Sequence, residues 1–175
     1  MLIALTGTPG TGKTTVGTEL GSKGLVVHEV SDVARENGLL REKDAERNSY
    51  DVDPDELNDA VAPLRNNDRV MLVGHLSHLV DADMVIVLRC RPSVLEKRLE
   101  KRGWPQKKVR ENIEAEAVDT ILIEASEINE KVYEIDTTEM SPVSVAASVL
   151  EIIDGKTDKY AAGNIDWSDE VLKWY

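Results

Sequence analysis

The sequence predicts an α/β fold of three layers, a parallel five-stranded sheet covered by helices on both faces. Two observations carry this. Short, wholly apolar runs of the kind that strands buried on both faces show alternate with amphipathic stretches, and the first run leads through glycine-rich sequence straight into a helical pattern. The 175 residues suit one core, so a single domain over 1–175 is expected.

The first strand is Leu2 to Thr6, and Lys13 to Lys23 reads as a helix. Leu25 to Val30 is the second strand, after which Ser31 or Asp32 caps a short helix through Asn37 that Gly38 stops. Residues 39–53 are polar and acidic without a period, an irregular excursion over the sheet edge. Asp53 as N-cap, Pro54 at the first helical position and Glu56 open a helix whose stripe is Leu57, Val61 and Leu64. Val70 to Val73 and Met84 to Leu88 are the third and fourth strands. Pro92 and Ser93 open a helix that ends at Gly103, before the break at Trp104 and Pro105. Gln106 to Glu127 carries Val109, Ile113, Ala117, Ile121 and Ala125 at four-residue spacing, which predicts one long amphipathic helix. Val132 to Ile135 is the fifth strand, and Ser141 and Pro142 open a helix that stops at Asp154 and Gly155. The tail, 156–175, is polar except for Trp167, Val171, Leu172 and Trp174, and is expected to hold a short helix docked by its tryptophans.

Charge narrows the function. The net charge of -12 argues against a protein that coats nucleic acid or anionic membrane with its whole surface. No apolar run is long enough to span a bilayer and no signal-peptide pattern opens the chain, so a cytoplasmic protein is expected. Cys90 has no partner for an internal disulfide, and no Cys or His cluster stands at zinc-ligand spacing. Phe is absent, so Val, Ile, Leu and Ala must fill the core.

Gly7-Thr8-Pro9-Gly10-Thr11-Gly12-Lys13-Thr14 matches G-x-x-x-x-G-K-[ST] in full, between a strand and a helix. Gly10 and Gly12 free the backbone so that amides converge on phosphate oxygens at a positive helix N-terminus. Lys13 would place its charge on the β and γ phosphates, and the Thr14 hydroxyl would ligate Mg²⁺. The fold class is therefore the P-loop NTPase sandwich, with a nucleoside triphosphate site. No N-K-x-D reads guanine, and no H-R-D or D-F-G marks a protein kinase. A small-molecule kinase or a compact ATPase remains.

Between Arg89 and Arg110, nine basic residues and two acids give a local net of +7 in an acidic chain. Arg98 and Arg102 are four apart, share a helix face and adjoin the Gly103-Trp104-Pro105 break, a candidate hinge. Guanidinium groups closing there would neutralise charge on a transferring phosphoryl group.

Together these residues resemble the adenylate kinase isoenzyme 6 family, whose eukaryotic members are also ribosome-assembly ATPases. The resemblance runs over roughly Leu2 to Val132. It is carried by Leu5 to Thr15, Ser31-Asp32-Val33-Ala34-Arg35-Glu36, Gly74-His75, Leu95 to Trp104 and Glu111-Asn112-Ile113. It implies that Gly10, Thr11, Gly12, Lys13, Thr14 and Thr15 hold ATP phosphates. Residues 29–51 would form the monophosphate-binding region, with Asp32 and Arg35 toward the substrate and Arg35 on the AMP phosphate. Residues 101–111 would form the lid, with Arg102 reaching ATP, and His75 would serve ATP hydrolysis. The implied activity is transfer of the ATP γ-phosphoryl group to AMP or a related monophosphate with Mg²⁺. The alternative is an ATPase switch in small-subunit maturation that meets a ribosomal protein on the pre-30S particle, without sequence-specific nucleic-acid binding. One departure stands out. Where the family places a Walker B aspartate, two residues before His75, this chain has Val73. The ion then leans on Thr14 and the phosphates, or another acid such as Asp32 supplies the charge.

Overall fold

In the computed structural model, which describes residues 1–41, 43–44 and 49–174, the chain begins with β1 (Leu2–Thr6), α1 (Lys13–Ser22), β2 (Val26–Glu29) and α2 (Val30–Glu36). An antiparallel pair follows, β3 (Lys43–Asp44) with β4 (Ser49–Tyr50), then α3 (Pro54–Val61), β5 (Val70–Val73) and β6 (Met84–Arg89). The remainder is α4 (Pro92–Lys101), α5 (Gln106–Ala117), α6 (Thr120–Ile128), β7 (Val132–Asp136), α7 (Pro142–Ile153) and α8 (Ser168–Leu172).

Five strands pair in parallel in the order β2-β5-β1-β6-β7. β1 lies at the centre and is buried along its length. Its alternate residues face opposite layers, as a pleated strand requires. Ile3 and Leu5 join Val16 and Leu20 of α1 and Val149 of α7. Leu2 instead packs with Val33, Leu57 and Val61 from α2 and α3, and Ala4 with Leu122 and Ala125 from α6. The three-layer P-loop sandwich is thus the fold, filled by aliphatic side chains. Strand order reverses direction about β1, so the carboxyl ends of β1, β5 and β2 border one crevice, where ligands of open α/β sheets bind.

Two local expectations change, and one helix start gains a distant partner. The second strand stops at Glu29 and α2 starts at Val30, so the N-cap is Glu29, without a side-chain cap, in place of Ser31 or Asp32. The long helix after Pro105 is two helices. Asp119 takes the left-handed conformation at φ 59° and turns its carboxylate to Arg89, and Thr120 begins α6. Asp tolerates that conformation better than most residues. Within α5 the buried positions Val109, Ile113 and Glu116 follow the 3.6-residue period, so Glu116 is buried where strict four-residue spacing favours Ala117. The N-terminus of α4 has no cap from its own residues; its Ser93 amide donates to Glu170 Oε2 of α8 at 3.2 Å.

The tail is tied to the body along its length. Ala161 bridges Tyr133 of β7, and the amides of Asn164 and Ile165 donate to Glu134 Oε1 at 2.6 and 2.9 Å. Trp167 is buried, and Trp174 packs against the Leu95, Leu99, Val109 and Ile113 cluster of α4 and α5. Among the described residues, no helix is long and apolar enough to cross a membrane.

Candidate active site

The loop from Gly7 to Gly12 takes its shape from places where only a hydrogen atom fits. Gly7 sits at φ 137°, and a Cβ there would stand 2.3 Å from the Leu88 carbonyl oxygen at the end of β6. Gly10, at φ 97°, lies against α4, with Leu95 Cδ1 2.8 Å and Leu99 Cδ2 2.9 Å from the same imaginary atom. Gly12 is the N-cap of α1 and offers no side-chain acceptor, so the first amides of the helix are left for a ligand.

Lys13 Nζ donates to the Gly7 and Thr8 carbonyls at 2.6 and 3.0 Å. Burial pushes its pKa down to about 7, helped by the Arg102 guanidinium and opposed by Glu116 and Glu29. A polyphosphate at the helix N-terminus would restore the charge. Nucleotide binding at pH 8.5 is accordingly expected to take up about one proton, read by calorimetry in buffers of different ionisation enthalpy; binding without uptake would show that Lys13 is already charged.

A cavity of about 120 Å³ over the loop is lined by Gly10, Gly12, Lys13, Thr14, Thr15, His75 and Arg102. Thr11 lies aside and buried, its hydroxyl donating to the Thr8 carbonyl at 2.9 Å. Two larger cavities flank this one. On one side, about 200 Å³ is bounded by Thr15, Arg98, Thr137, Met140 and Pro142, where Arg98 Nη2 donates to the Thr137 and Thr138 carbonyls at 3.0 and 3.2 Å. On the other, about 540 Å³ is bounded by Thr8, Asp51, Val52, His75, Trp104 and Asn112, among others. Lys108 Nζ stands 4.1 Å from the centre of the Trp104 ring. His75 opens onto both this space and the loop cavity, and the surrounding protein, then Lys13, pushes its pKa down to about 4. His78 is different: it is buried, with Nδ1 2.9 Å from the Thr6 hydroxyl and Nε2 3.0 Å from Glu124 Oε2.

Asp32 and Arg35 line none of these three cavities. They form an exposed ion pair on α2 at 2.8 Å. Asp32 is therefore not at a strand end and is turned to Arg35, which removes the reason for giving it the Walker B charge. Of the 29–51 region, residues 42 and 45–48 lie outside the described residues. The basic stretch also needs correction. Arg89 is buried, and Glu116, Glu134 and Asp119 neutralise it, so it adds nothing to the positive field over the loop.

Two carboxylates escape a reading by motif. Glu116 Oε2 accepts the Thr8 hydroxyl of the phosphate loop at 2.5 Å, while Oε1 accepts from Arg89 Nε at 2.8 Å, the Cys90 amide at 3.1 Å and Trp167 Nε1 at 3.3 Å. Glu29 lies near the start of α1; burial and then Asp32 raise its pKa, against the effects of the Thr14 hydroxyl and Lys13. The one sequence signal for Glu29 is an acid next to the end of the expected strand Leu25 to Val30.

A parallel sheet of this order with a glycine loop wrapped on a lysine defines a P-loop protein of the kinase fold. Solved structures agree on the fold: shikimate kinase from Acinetobacter baumannii (TM-score 0.61, 17% identity, 89% of this chain and 93% of that one) and deoxyadenosine kinase from M. mycoides (TM-score 0.57, 14% identity, 88% and 99%). The AAA domain family matches residues 3–119. Over nearly full length the chain is similar to proteins named "Putative adenylate kinase". These include one from Natronomonas pharaonis (46% identical, 98% of this chain and 100% of the relative) and one from Archaeoglobus fulgidus (45%, 98% and 94%). A third is from Thermococcus kodakarensis (43%, 99% and 98%). The chain belongs to this archaeal-type adenylate kinase family, the isoenzyme 6 family.

Proposed function

We propose that the protein is a nucleoside monophosphate kinase that moves the γ-phosphoryl group of ATP, with Mg²⁺, onto AMP or a related monophosphate. The observation that carries this reading is the run of three cavities. The loop cavity shares Gly10, Gly12 and Thr15 with the space beside Arg98, and shares Pro9 and His75 with the space beside Trp104. One chamber takes the donor base, the loop its phosphates, and the largest the acceptor, which is the arrangement in-line transfer between two bound nucleotides needs.

Among the described residues, no three His, Cys, Asp or Glu side chains gather as a metal site, so an ion there would depend on nucleotide oxygens. The exposed Thr14 hydroxyl at the start of α1 is a hard oxygen donor of the kind Mg²⁺ takes. When bound, the ion supplies charge neutralisation at the phosphate oxygens. The chain's own contribution is positional. The α1 amides and Lys13 orient the donor phosphates, and Arg102 faces charge that spreads during transfer. His75, held neutral, offers a hydrogen bond at the junction between donor and acceptor. Trp104, Glu111 and Asn112, from the 101–111 lid and the next turn of α5, wall the acceptor chamber and shed water from it.

ADP formation from ATP is expected to accelerate at least about tenfold when a suitable monophosphate is added, as a coupled assay with AMP, CMP, GMP and UMP in turn would read. Hydrolysis of ATP at one rate whatever monophosphate is present would overturn the kinase reading in favour of an ATPase.

A further inference from the structure

We propose that Glu29 is the acid that holds the nucleotide's Mg²⁺ in this protein, in the place that Val73 leaves apolar. The proposal rests on the phosphoryl-transfer reading above. P-loop enzymes hold the ion between the hydroxyl of the loop's Ser or Thr and an acid from a neighbouring strand. Here the strand beside β1 ends in Val73, which is fully buried, its Cγ2 3.2 Å from where a Cβ on Gly17 of α1 would lie. That methyl packing leaves position 73 with no oxygen to offer.

The next strand outward supplies one. Glu29 is paired in register with Val73 across the parallel β2 and β5, and residues so paired point to the same face of a sheet. The face is that of α1: Val27, two residues back on β2, has its Cγ1 3.5 Å from the same point on Gly17. Glu29 therefore projects one pleat further along this face, toward the first turn of the helix. There its carboxylate lies close enough to the Thr14 hydroxyl and to Lys13 to feel both. The side chain is half-buried, so its oxygens are positioned yet open to solvent. One strand further from the loop, glutamate has a methylene more than aspartate with which to make up the distance. A hydroxyl and a carboxylate are both hard oxygen donors, and Mg²⁺ in nucleotide sites keeps several waters and takes only one or two protein ligands. Glu29 then acts directly or through one of those waters. Asp32, a turn further on, is exposed and turned to Arg35.

The experiment separates metal from nucleotide. The non-hydrolysable analogue AMP-PNP is first titrated in EDTA by calorimetry; Mn²⁺ is then titrated into the protein·AMP-PNP complex and free Mn²⁺ followed by electron paramagnetic resonance. Glu29→Gln is expected to bind metal-free AMP-PNP within about twofold of wild type and to weaken Mn²⁺ about 10- to 100-fold. Glu29→Asp should lie between, and Glu36→Gln, an exposed acid of α2, should match wild type. Normal AMP-PNP binding together with unchanged Mn²⁺ affinity in Glu29→Gln overturns the assignment while leaving the kinase reading intact. Failure of the wild-type protein to bind AMP-PNP in EDTA overturns the phosphate site itself, and the assignment with it.

Discussion

Replacing Lys13 by Ala is expected to lower kcat about 1,000-fold while leaving the thermal midpoint unchanged or slightly raised. The size of the loss is that of removing one preorganised charge from a transition state that disperses negative charge over phosphoryl oxygens. Stability should not fall, because Nζ now bonds two loop carbonyls, at 2.6 and 3.0 Å, in surroundings that penalise its charge. The sign follows from linkage. A lysine whose pKa drops from 10.5 to about 7 on folding binds its proton more readily in the unfolded chain, so the wild type gains stability relative to the Ala variant as pH rises from about 7 to about 10. Melting curves across that range and single-turnover assays check both halves. Wild-type turnover in Lys13→Ala would refute the site; a large drop in midpoint would show that the lysine holds the loop together instead of serving its ligand.

Glu116→Ala is expected to destabilise the fold by about 3–5 kcal/mol, the scale for breaking a buried ion pair by removing one partner. In a chain of this size that is roughly a 10 °C fall in midpoint. Both charges are out of water: Glu116 is 2% exposed and Arg89 1%. Truncation leaves Arg89 with Glu134 and Asp119, and removes the acceptor of the Thr8 hydroxyl, the Cys90 amide and the Trp167 indole together. Because Thr8 belongs to the phosphate loop, nucleotide affinity should fall as well. Glu116→Gln keeps one acceptor oxygen and should lie between Ala and wild type in chemical denaturation. A loss below about 1 kcal/mol in Glu116→Ala would mean that the network holds itself without this carboxylate.

What could be read in the sequence was local. Leu2 to Thr6, the glycines after it and Lys13 form one continuous stretch whose spacing already states its geometry. The Asp53 cap was equally plain: its side chain accepts from the amides of Asp55 and Glu56. Features set by distant partners were not legible. The helix after Pro105 keeps its four-residue spacing through Asp119, so periodicity is blind to a break at the residue whose carboxylate meets Arg89 of β6. The place of Arg89 in the basic stretch from Arg89 to Arg110 misleads for the same reason, since its three acids converge only in the fold. Glu29 gains its meaning from register with Val73, 44 residues on. Arg35 and Asp32 matched a pattern, and the described cavities lie elsewhere.

The tail's seam along β7 bears on a different property of the molecule. An outermost strand with unsatisfied amides and carbonyls is a template on which a second chain can add itself, and natural sheets mask such borders. Here the bridge from Tyr133 to Ala161 and the grip of Glu134 on the Asn164 and Ile165 amides cover that border from within the chain. The segment after Gly155, which also supports the phosphate loop through Trp167 on Glu116, thereby shields this border from edge-to-edge addition of a second chain.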